Sequence, residues 1–450
     1  MHLLRVQVPD FRGLKNIDIT FEKDFVPSIF PLGSQNGGGK STLLQLIFVL
    51  LHCSVDEDKK PFIANLLQGF KISDGEDKRV LAIIDIWDGE KIVKLEFYSY
   101  HNYFIKKIFD VDSKEKTIDE IFDADSKEKT IDEDDLCFST LKRLESLKDY
   151  IDELQIFQDR DRYHEMVEAL AYRKKLETIC DQIIECLHSN NMTYICNHSG
   201  NITLNDLRDE ALLCHFNNID RKETESFFKE LSDKIFLAAP STQVFLFLPP
   251  DSRKLLFGNA SSGDNNYYGI LASARSKLQG LFTYDFLAVE LLIESFKDAR
   301  DRDFREAIKT GNYGNSYQTL INDLNLLLGN KRINLNEDFS GVNFKLDNNG
   351  ETIELYPEDL SHGELKRLSI YIWLKSRNIE DAIVLMDEVE IAFHPDWQYQ
   401  IISDLKEWAP SNQYILATHS YALCEALTPA HVKEIEPKLI KQESNITNES

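Results

Sequence analysis

The sequence predicts an α/β fold: a core sheet organised around a glycine-rich loop, an antiparallel β subdomain beside it, and a helical insertion. Three observations carry this prediction. The run Leu32-Gly33-Ser34-Gln35-Asn36-Gly37-Gly38-Gly39-Lys40-Ser41-Thr42 stands between two apolar stretches, Val26 to Leu32 and Leu43 to Leu51, and the second contains neither Gly nor Pro. Asp88-Gly89 separates two alternating runs, Val80 to Ile86 and Lys91 to Phe97, which is a strong hairpin signal. Far along the chain, a third apolar run, Ile383 to Met386, ends in Asp387-Glu388.

The glycine run has a specific physical meaning. Strand, glycine loop, Lys-Ser and helix is the context of a phosphate-binding loop. Glycines let successive backbone N–H groups curl inward into an anion nest, and the following helix N-terminus adds positive partial charge. Residues 34–42 are therefore the expected nucleotide cradle: Ser34, Gln35, Asn36, Gly37, Gly38, Gly39, Lys40, Ser41 and Thr42. Lys40 can reach the β- and γ-phosphates, and the Ser41 hydroxyl suits Mg²⁺. One departure is visible: Ser34 stands where the first glycine is usual, and Gly33 sits one place early.

Composition narrows the class. A chain of 450 residues can bury a large core and is expected to hold more than one lobe. Hydrophobic content of 42% with charged content of 28% fits a soluble globular protein. No apolar run reaches the roughly 18 residues of a membrane span, so no membrane partner is expected. Met1-His2-Leu3-Leu4-Arg5 lacks a signal-peptide pattern, and seven scattered cysteines suggest reduced thiols, so the expected location is the cytoplasm. A net charge of −25 argues against a protein that coats nucleic acid by bulk charge.

In chain order, Leu4 to Val8 alternates, Phe11-Arg12-Gly13-Leu14 breaks the pattern, and Ile17, Ile19 and Phe21 resume it: two strands around a turn. Residues 108–120 and 121–133 form a tandem repeat that reads as a duplicated, solvated surface excursion. From Leu136 to Leu187 the apolar period turns helical, with Leu141, Leu144, Ile151 and Leu154 on one face and Met166, Leu170, Leu176, Ile179 and Ile183 on another. A helical hairpin is expected, with arms of about 20 residues or about 30 Å, either capping the head or docking a partner. Cys180, Cys186, Cys196, His198, Cys214 and His215 lack any CxxC pair and are irregularly spaced, so no zinc site is expected.

Gln243 to Leu248 reads as a strand, 281–328 as helices whose Lys297 to Arg305 segment is a solvated face, and Ile333 to Leu335, Val342 to Leu346 and Thr352 to Leu355 as short strands. The expected divisions are 1–135, the N-terminal part of the head with the phosphate loop; 136–235, a helical insertion; 236–435, the C-terminal part of the head; and 436–450, a polar tail.

Leu360-Ser361-His362-Gly363-Glu364 then opens a helix, Leu365 to Lys375. Alone, Ser-x-Gly-Glu is also a good N-cap. Asp387-Glu388 at the end of its apolar strand supplies a Walker B pattern, and Ile415-Leu416-Ala417-Thr418-His419 ends another buried strand. The order of these motifs resembles ABC-type ATPase heads of the SMC, RecF and OLD group. Leu360 to Glu364 is similar to their Leu-Ser-Gly-Gly-Gln signature, with His362 and Glu364 as departures. Phe11-Arg12-Gly13-Leu14 resembles the start of those heads, where an arginine lies near the nucleotide. Asp387-Glu388-Val389-Glu390-Ile391-Ala392-Phe393-His394-Pro395 differs from the transporter pattern, because His394 stands at the D-loop aspartate. Phe393-His394-Pro395-Asp396-Trp397-Gln398 and Leu416-Ala417-Thr418-His419-Ser420 look most like the PtuA-type ATPase subunit of Septu and retron-associated anti-phage systems.

The resemblance covers 1–100 and 236–435 and implies an ATPase that uses ATP and Mg²⁺. Lys40, Glu388 and His419 would act in catalysis, Glu388 on the attacking water and His419 as the γ-phosphate switch. Ser41 and Asp387 would hold the metal. Arg12 would lie near the nucleotide, and Ser361, Gly363 and Glu364 would act on nucleotide held by a second head. A Q-loop glutamine is represented only by two candidates, Gln155 and Gln243. The implied partners are a second copy of the chain, in a head-to-head homodimer or higher oligomer, a separate HNH-type nuclease, and nucleic acid through that complex. Residues 420–450 are too few for the Toprim nuclease domain of OLD proteins, so no nuclease activity of its own is expected. The alternative is a RecF-like repair ATPase that binds DNA directly.

Overall fold

The computed structural model describes residues 1–35, 37–101, 187, 189–198, 210–248, 267–284, 288–348 and 351–435. The expected tandem repeat, the helical hairpin, Asn36, Gln155 and the polar tail lie outside the described residues.

The N-terminal elements are β1 (His2–Phe11), β2 (Leu14–Thr20), β3 (Ile29–Gly33), α1 (Lys40–Cys53), α2 (Lys60–Leu67), β4 (Lys78–Trp87) and β5 (Ile92–His101). After them come β6 (Met192–Asn197), β7 (Glu210–Asn217), α3 (Arg221–Asp233), β8 (Ile235–Ala239), α4 (Tyr267–Lys277), β9 (Leu281–Thr283), α5 (Ala288–Thr310) and α6 (Ser316–Leu328). The C-terminal part holds β10 (Lys331–Leu335), β11 (Val342–Asn348), β12 (Glu351–Leu355), α7 (His362–Ser376), β13 (Ile383–Asp387), α8 (Pro395–Trp408), β14 (Gln413–Thr418), α9 (Tyr421–Glu425) and β15 (Lys433–Glu434).

Three sheets result. The core sheet is parallel, in the order β15-β3-β14-β13-β8-β9. An antiparallel sheet runs β2-β1-β4-β5-β7-β6, and β10-β11-β12 form a small meander. Both faces of the core sheet are covered, which is why its strands are continuously apolar rather than alternating. Along β13, Ile383 and Leu385 pack into one hydrophobic cluster, with α1 and the antiparallel sheet. Val384 and Met386 point into the other, with α5, α7 and α8. Helix α1 lies between the two large sheets and is buried from Leu43 to Cys53, a span that is apolar apart from Gln45 and His52. The start of the chain is tied into this core by Gln413, whose side-chain amide accepts from Leu3 N–H at 2.7 Å and donates to Leu3 C=O at 2.9 Å.

The β4–β5 hairpin forms as expected, with Gly89 at φ +118 and the Asp88 carboxylate accepting from Glu90 and Lys91 N–H. Three expectations need correction. Gln243 to Leu248 is not a strand: Ser241–Phe247 is a 3₁₀ helix. Pro240 has no N–H to continue a ladder, and Val244 and Phe247, three apart, are the residues that enter the core, as 3₁₀ periodicity requires. The span 281–328 opens with a strand, β9, added to the core sheet beside β8. The region 136–235 is not wholly helical: β7 pairs with β5 and β6 pairs with β7, so 192–217 belongs to the antiparallel sheet. β-rich runs such as Ala211 to Phe216 found their place by burial against that sheet. Among the described residues no helix is long and apolar enough to cross a membrane.

Candidate nucleotide site

The register of the core sheet builds the site. Thr418 of β14 lies opposite Gly33 of β3, and Ala417 lies opposite Asp387 of β13. The glycine loop, His419 and the Asp387-Glu388 pair therefore leave the same edge, the carboxyl ends of three adjacent parallel strands, where open α/β sheets place their ligand crevice. Two strand spacings, about 10 Å in all, separate the glycine loop's strand from β13, with β14 between them.

The loop's backbone matches its residues. Gly37 and Gly39 adopt φ +77 and +87, a region that other residues reach only with strain. A Cβ at Gly39 would come 2.5 Å from Leu14 Cδ2, so the β1–β2 turn is seated directly on the loop. Arg12 in that turn donates through Nη2 to the Leu66 carbonyl of α2 at 2.6 Å. At the start of α1, Lys40 Nζ donates to Ser34 C=O at 3.2 Å and contacts Ser34 Oγ at 3.0 Å and His419 Nε2 at 2.9 Å. Burial lowers the lysine's pKa, opposed by the nearby Asp387, Glu390 and Glu388 carboxylates. Ser34, the departure from the usual glycine, thus supplies both a carbonyl and a hydroxyl to the Lys40 ammonium.

Ser41 Oγ donates to Asp387 Oδ1 at 3.1 Å. Asp387 is 2% exposed, and its second oxygen, Oδ2, has no hydrogen-bond partner among the described residues. Burial pushes its carboxyl up to about 6, against the hydrogen bond from Ser41 and with help from Glu388 and Glu390. An orphaned, buried carboxylate oxygen beside a serine hydroxyl is a donor set that fits a hard divalent cation completing its shell with water and phosphate oxygens. Glu388, half-buried, follows with φ +52, its N–H held by Ala417 C=O at 3.0 Å.

The signature segment is organised separately. Ser361 caps α7: its Oγ accepts from Glu364 N–H, while Glu364 Oε2 accepts from Ser361 N–H and Oγ–H, both at 2.9 Å. Glu364 Oε1 pairs with Lys331 of β10 at 2.5 Å. Burial raises the Glu364 pKa, but the bonds from Lys331 and Ser361 outweigh it, and the carboxyl sits below its ordinary value. Gly363 is buried, and a Cβ there would meet Ala392 C=O at 2.6 Å. The cap reading and the signature reading of Ser-x-Gly-Glu are thus compatible: the cap is made, and Ser361 stays exposed. Gln243 sends its side chain to Gln45 on α1.

Two further residues, which belong to no motif, brace the site. Glu390 is 7% exposed; its Oε1 accepts from His419 N–H at 2.7 Å, which ties the end of β14 to the turn after β13. Lys366 on α7 reaches the same turn. A buried acid between Val389 and Ile391 was the available signal for Glu390; Lys366 had none.

A parallel core sheet carries the glycine loop after β3 and, with β14 between them, Asp387-Glu388 at the end of β13, and an antiparallel sheet flanks it. The arrangement resembles that of ABC-type, SMC-like ATPase heads. Residues 283–425 match the family model described as "AAA domain, putative AbiEii toxin, Type IV TA system". The chain is 36% identical over 69 residues to the retron Vc95 probable ATPase of Vibrio cholerae serotype O1 biovar El Tor, a match spanning 14% of this chain and 13% of that protein. Two solved structures are similar over most of their length. One is the Smc head domain with an extended coiled coil bound to the C-terminal domain of ScpA, from Pyrococcus furiosus, with 12% identity and a TM-score of 0.32, covering 94% of this chain and 91% of that one. The other is the SmcHead bound to the C-winged helix domain of ScpA, with 11% identity and a TM-score of 0.38, covering 95% and 92%.

Proposed function

We propose that this head binds ATP with Mg²⁺, hydrolyses it in a head-to-head dimer, and uses that cycle to regulate or scaffold a separate nuclease in anti-phage defence. The observation that carries the reading is the convergence of Lys40 and Ser41 on Asp387 and His419 at one sheet edge, with Glu388 on the adjoining turn.

In this reading the loop N–H groups and Lys40 bind the phosphates. Ser41 and Asp387 hold Mg²⁺, which neutralises phosphate charge when bound. Glu388 orients and polarises the attacking water, and His419 follows the γ-phosphate. Ser361, exposed at the N-terminus of α7, acts on nucleotide held by a second copy, so each site needs two chains. The likeness to a retron's probable ATPase supports the defence setting, as does the Phe393-His394-Pro395 segment that resembles PtuA-type subunits. The acidic net charge favours action through a partner nuclease over direct coating of DNA.

The test is activity of the purified chain alone and with an HNH nuclease encoded beside it. The chain is expected to hydrolyse ATP slowly, or only in the complex, and to leave DNA intact with Mg²⁺ or Mn²⁺ until the nuclease is added. Metal-dependent cleavage by this chain alone, lost on mutating one of its own acids, would overturn the assignment of DNA cutting to a partner.

A further inference from the structure

The turn that carries Glu388 is gripped from outside its own strand. Glu388 lies at φ +52, where a residue with a side chain is strained and persists only if its surroundings over-determine it. Ile391 N–H closes the turn onto Glu388 C=O at 3.2 Å. On the second turn of α7, Lys366 is 6% exposed, and its Nζ donates to Glu388 C=O at 2.8 Å and to Ile391 C=O at 3.1 Å. The ammonium sits 4.0 Å from the centroid of the Tyr284 ring and 5.6 Å from that of Phe393, so aromatic faces wall it in. The same helix presses Gly363 against Ala392 C=O, just past the turn.

We propose that Lys366 is a positioning residue for Glu388. By binding the carbonyls at both ends of the turn, it fixes the peptide rotation that aims the Glu388 carboxylate, and it links that aim to the helix whose first residues present Ser361. The inference rests on the hydrolytic reading above. Its physical basis is directional: a strained left-handed residue relaxes by rotating its peptide, and rotation would pull the Glu388 carbonyl off a charged donor. Lys366 acts through backbone atoms of the turn, so its loss alters the chemical step and leaves nucleotide affinity in place.

The experiment compares the wild type with Lys366→Met, Lys366→Arg and Glu388→Gln in the full chain, with the nuclease added if hydrolysis needs it. Binding of a fluorescent ATP analogue and steady-state ATPase are both measured. Lys366→Met is expected to bind nucleotide within about twofold of wild type and to lose at least tenfold in kcat with KM little changed; Lys366→Arg is expected to recover part of that loss. In the Glu388→Gln background, Lys366→Met is expected to add less than twofold, because both act through one carboxylate. A kcat within twofold of wild type for Lys366→Met, or a loss of the same size on top of Glu388→Gln, overturns the proposal. If Lys366→Met does not fold, Lys366→Arg and Lys366→Gln decide: graded kcat at constant affinity supports it, and unchanged kcat in both overturns it. Hydrolysis that Glu388→Gln abolishes but Lys366 variants leave intact sinks this inference alone, whereas a wild type without ATPase, alone or in complex, sinks the hydrolytic reading beneath it.

Discussion

Lys40 Nζ and His419 Nε2 meet at 2.9 Å across the mouth of the phosphate loop, although 379 positions separate them in the chain. The same ammonium lies 3.5 Å from His419 Nδ1, so it is within reach of both ring nitrogens. On the proposed function, a γ-phosphate at Lys40 would compete for the same ammonium and so reach His419 directly. His419→Ala is therefore expected to retain nucleotide binding and to lose hydrolysis by about 10-fold to 100-fold, within the range of positioned polar groups. Unchanged kcat in that variant would show that the contact has no part in turnover.

Glu388→Gln keeps the Asp387 and Ser41 groups but removes the carboxylate proposed to polarise water. ATP binding is expected to persist while turnover falls by about 10²-fold or more. Near-normal steady-state hydrolysis would remove Glu388 from the mechanism.

Ser361→Arg tests whether the site is shared. Ser361 is exposed, and its hydrogen bonds run to Glu364 on its own helix. The arginine is expected to spare nucleotide binding and to abolish hydrolysis by blocking the facing head. Loss of the cap adds a stability cost of about 1 kcal/mol, so melting is measured alongside. Full ATPase activity would mean that one chain completes the site.

Asp387 gives a pH signature. Burial raises its pKa from 3.8 to about 6. The folded protein thus holds a proton that the unfolded chain releases between about pH 4 and pH 6. Native stability from this group is greatest below that window and falls as pH rises through it, by about 3 kcal/mol at most. In nucleotide- and metal-free protein, Asp387→Asn is expected to raise the urea midpoint at pH 7.5 and to change little at pH 4. The same substitution is expected to weaken the stabilisation that Mg²⁺-ATP gives the parent. Equal midpoints for parent and variant at both pH values would show that the aspartate is not under burial strain.

Much of the architecture was legible in the chain because short-range rules govern it. The Gly37 and Gly39 backbone, the Asp88-Gly89 hairpin and the Ser361 cap each depend on residues only a few places apart. The buried strands β3, β13 and β14 were recognisable as unbroken apolar runs. Where the reading failed, burial overrode a local pattern. Gln243 to Leu248 has strand-like composition but follows Pro240 and packs with a period of three. The residues of β6 and β7 sit in a stretch dominated by helical periodicity, and only pairing with β5 reveals them as strands.

By itself, the sequence determined which groups the proposed phosphate chemistry would use: Lys40 and Ser41 on a glycine loop, Asp387-Glu388 at a strand end, and His419 at another. Tertiary structure alone decided how they meet. The insertion of β14 between β3 and β13, with Thr418 in register with Gly33 and Ala417 with Asp387, sets Lys40 against His419 and Ser41 against Asp387. It also decided the placement of Glu390 and Lys366, which meet a backbone N–H of His419 and two backbone carbonyls. Backbone groups are identical at every position, so no residue code announces such partners; only the path of the folded chain brings one of them within reach of a particular side chain.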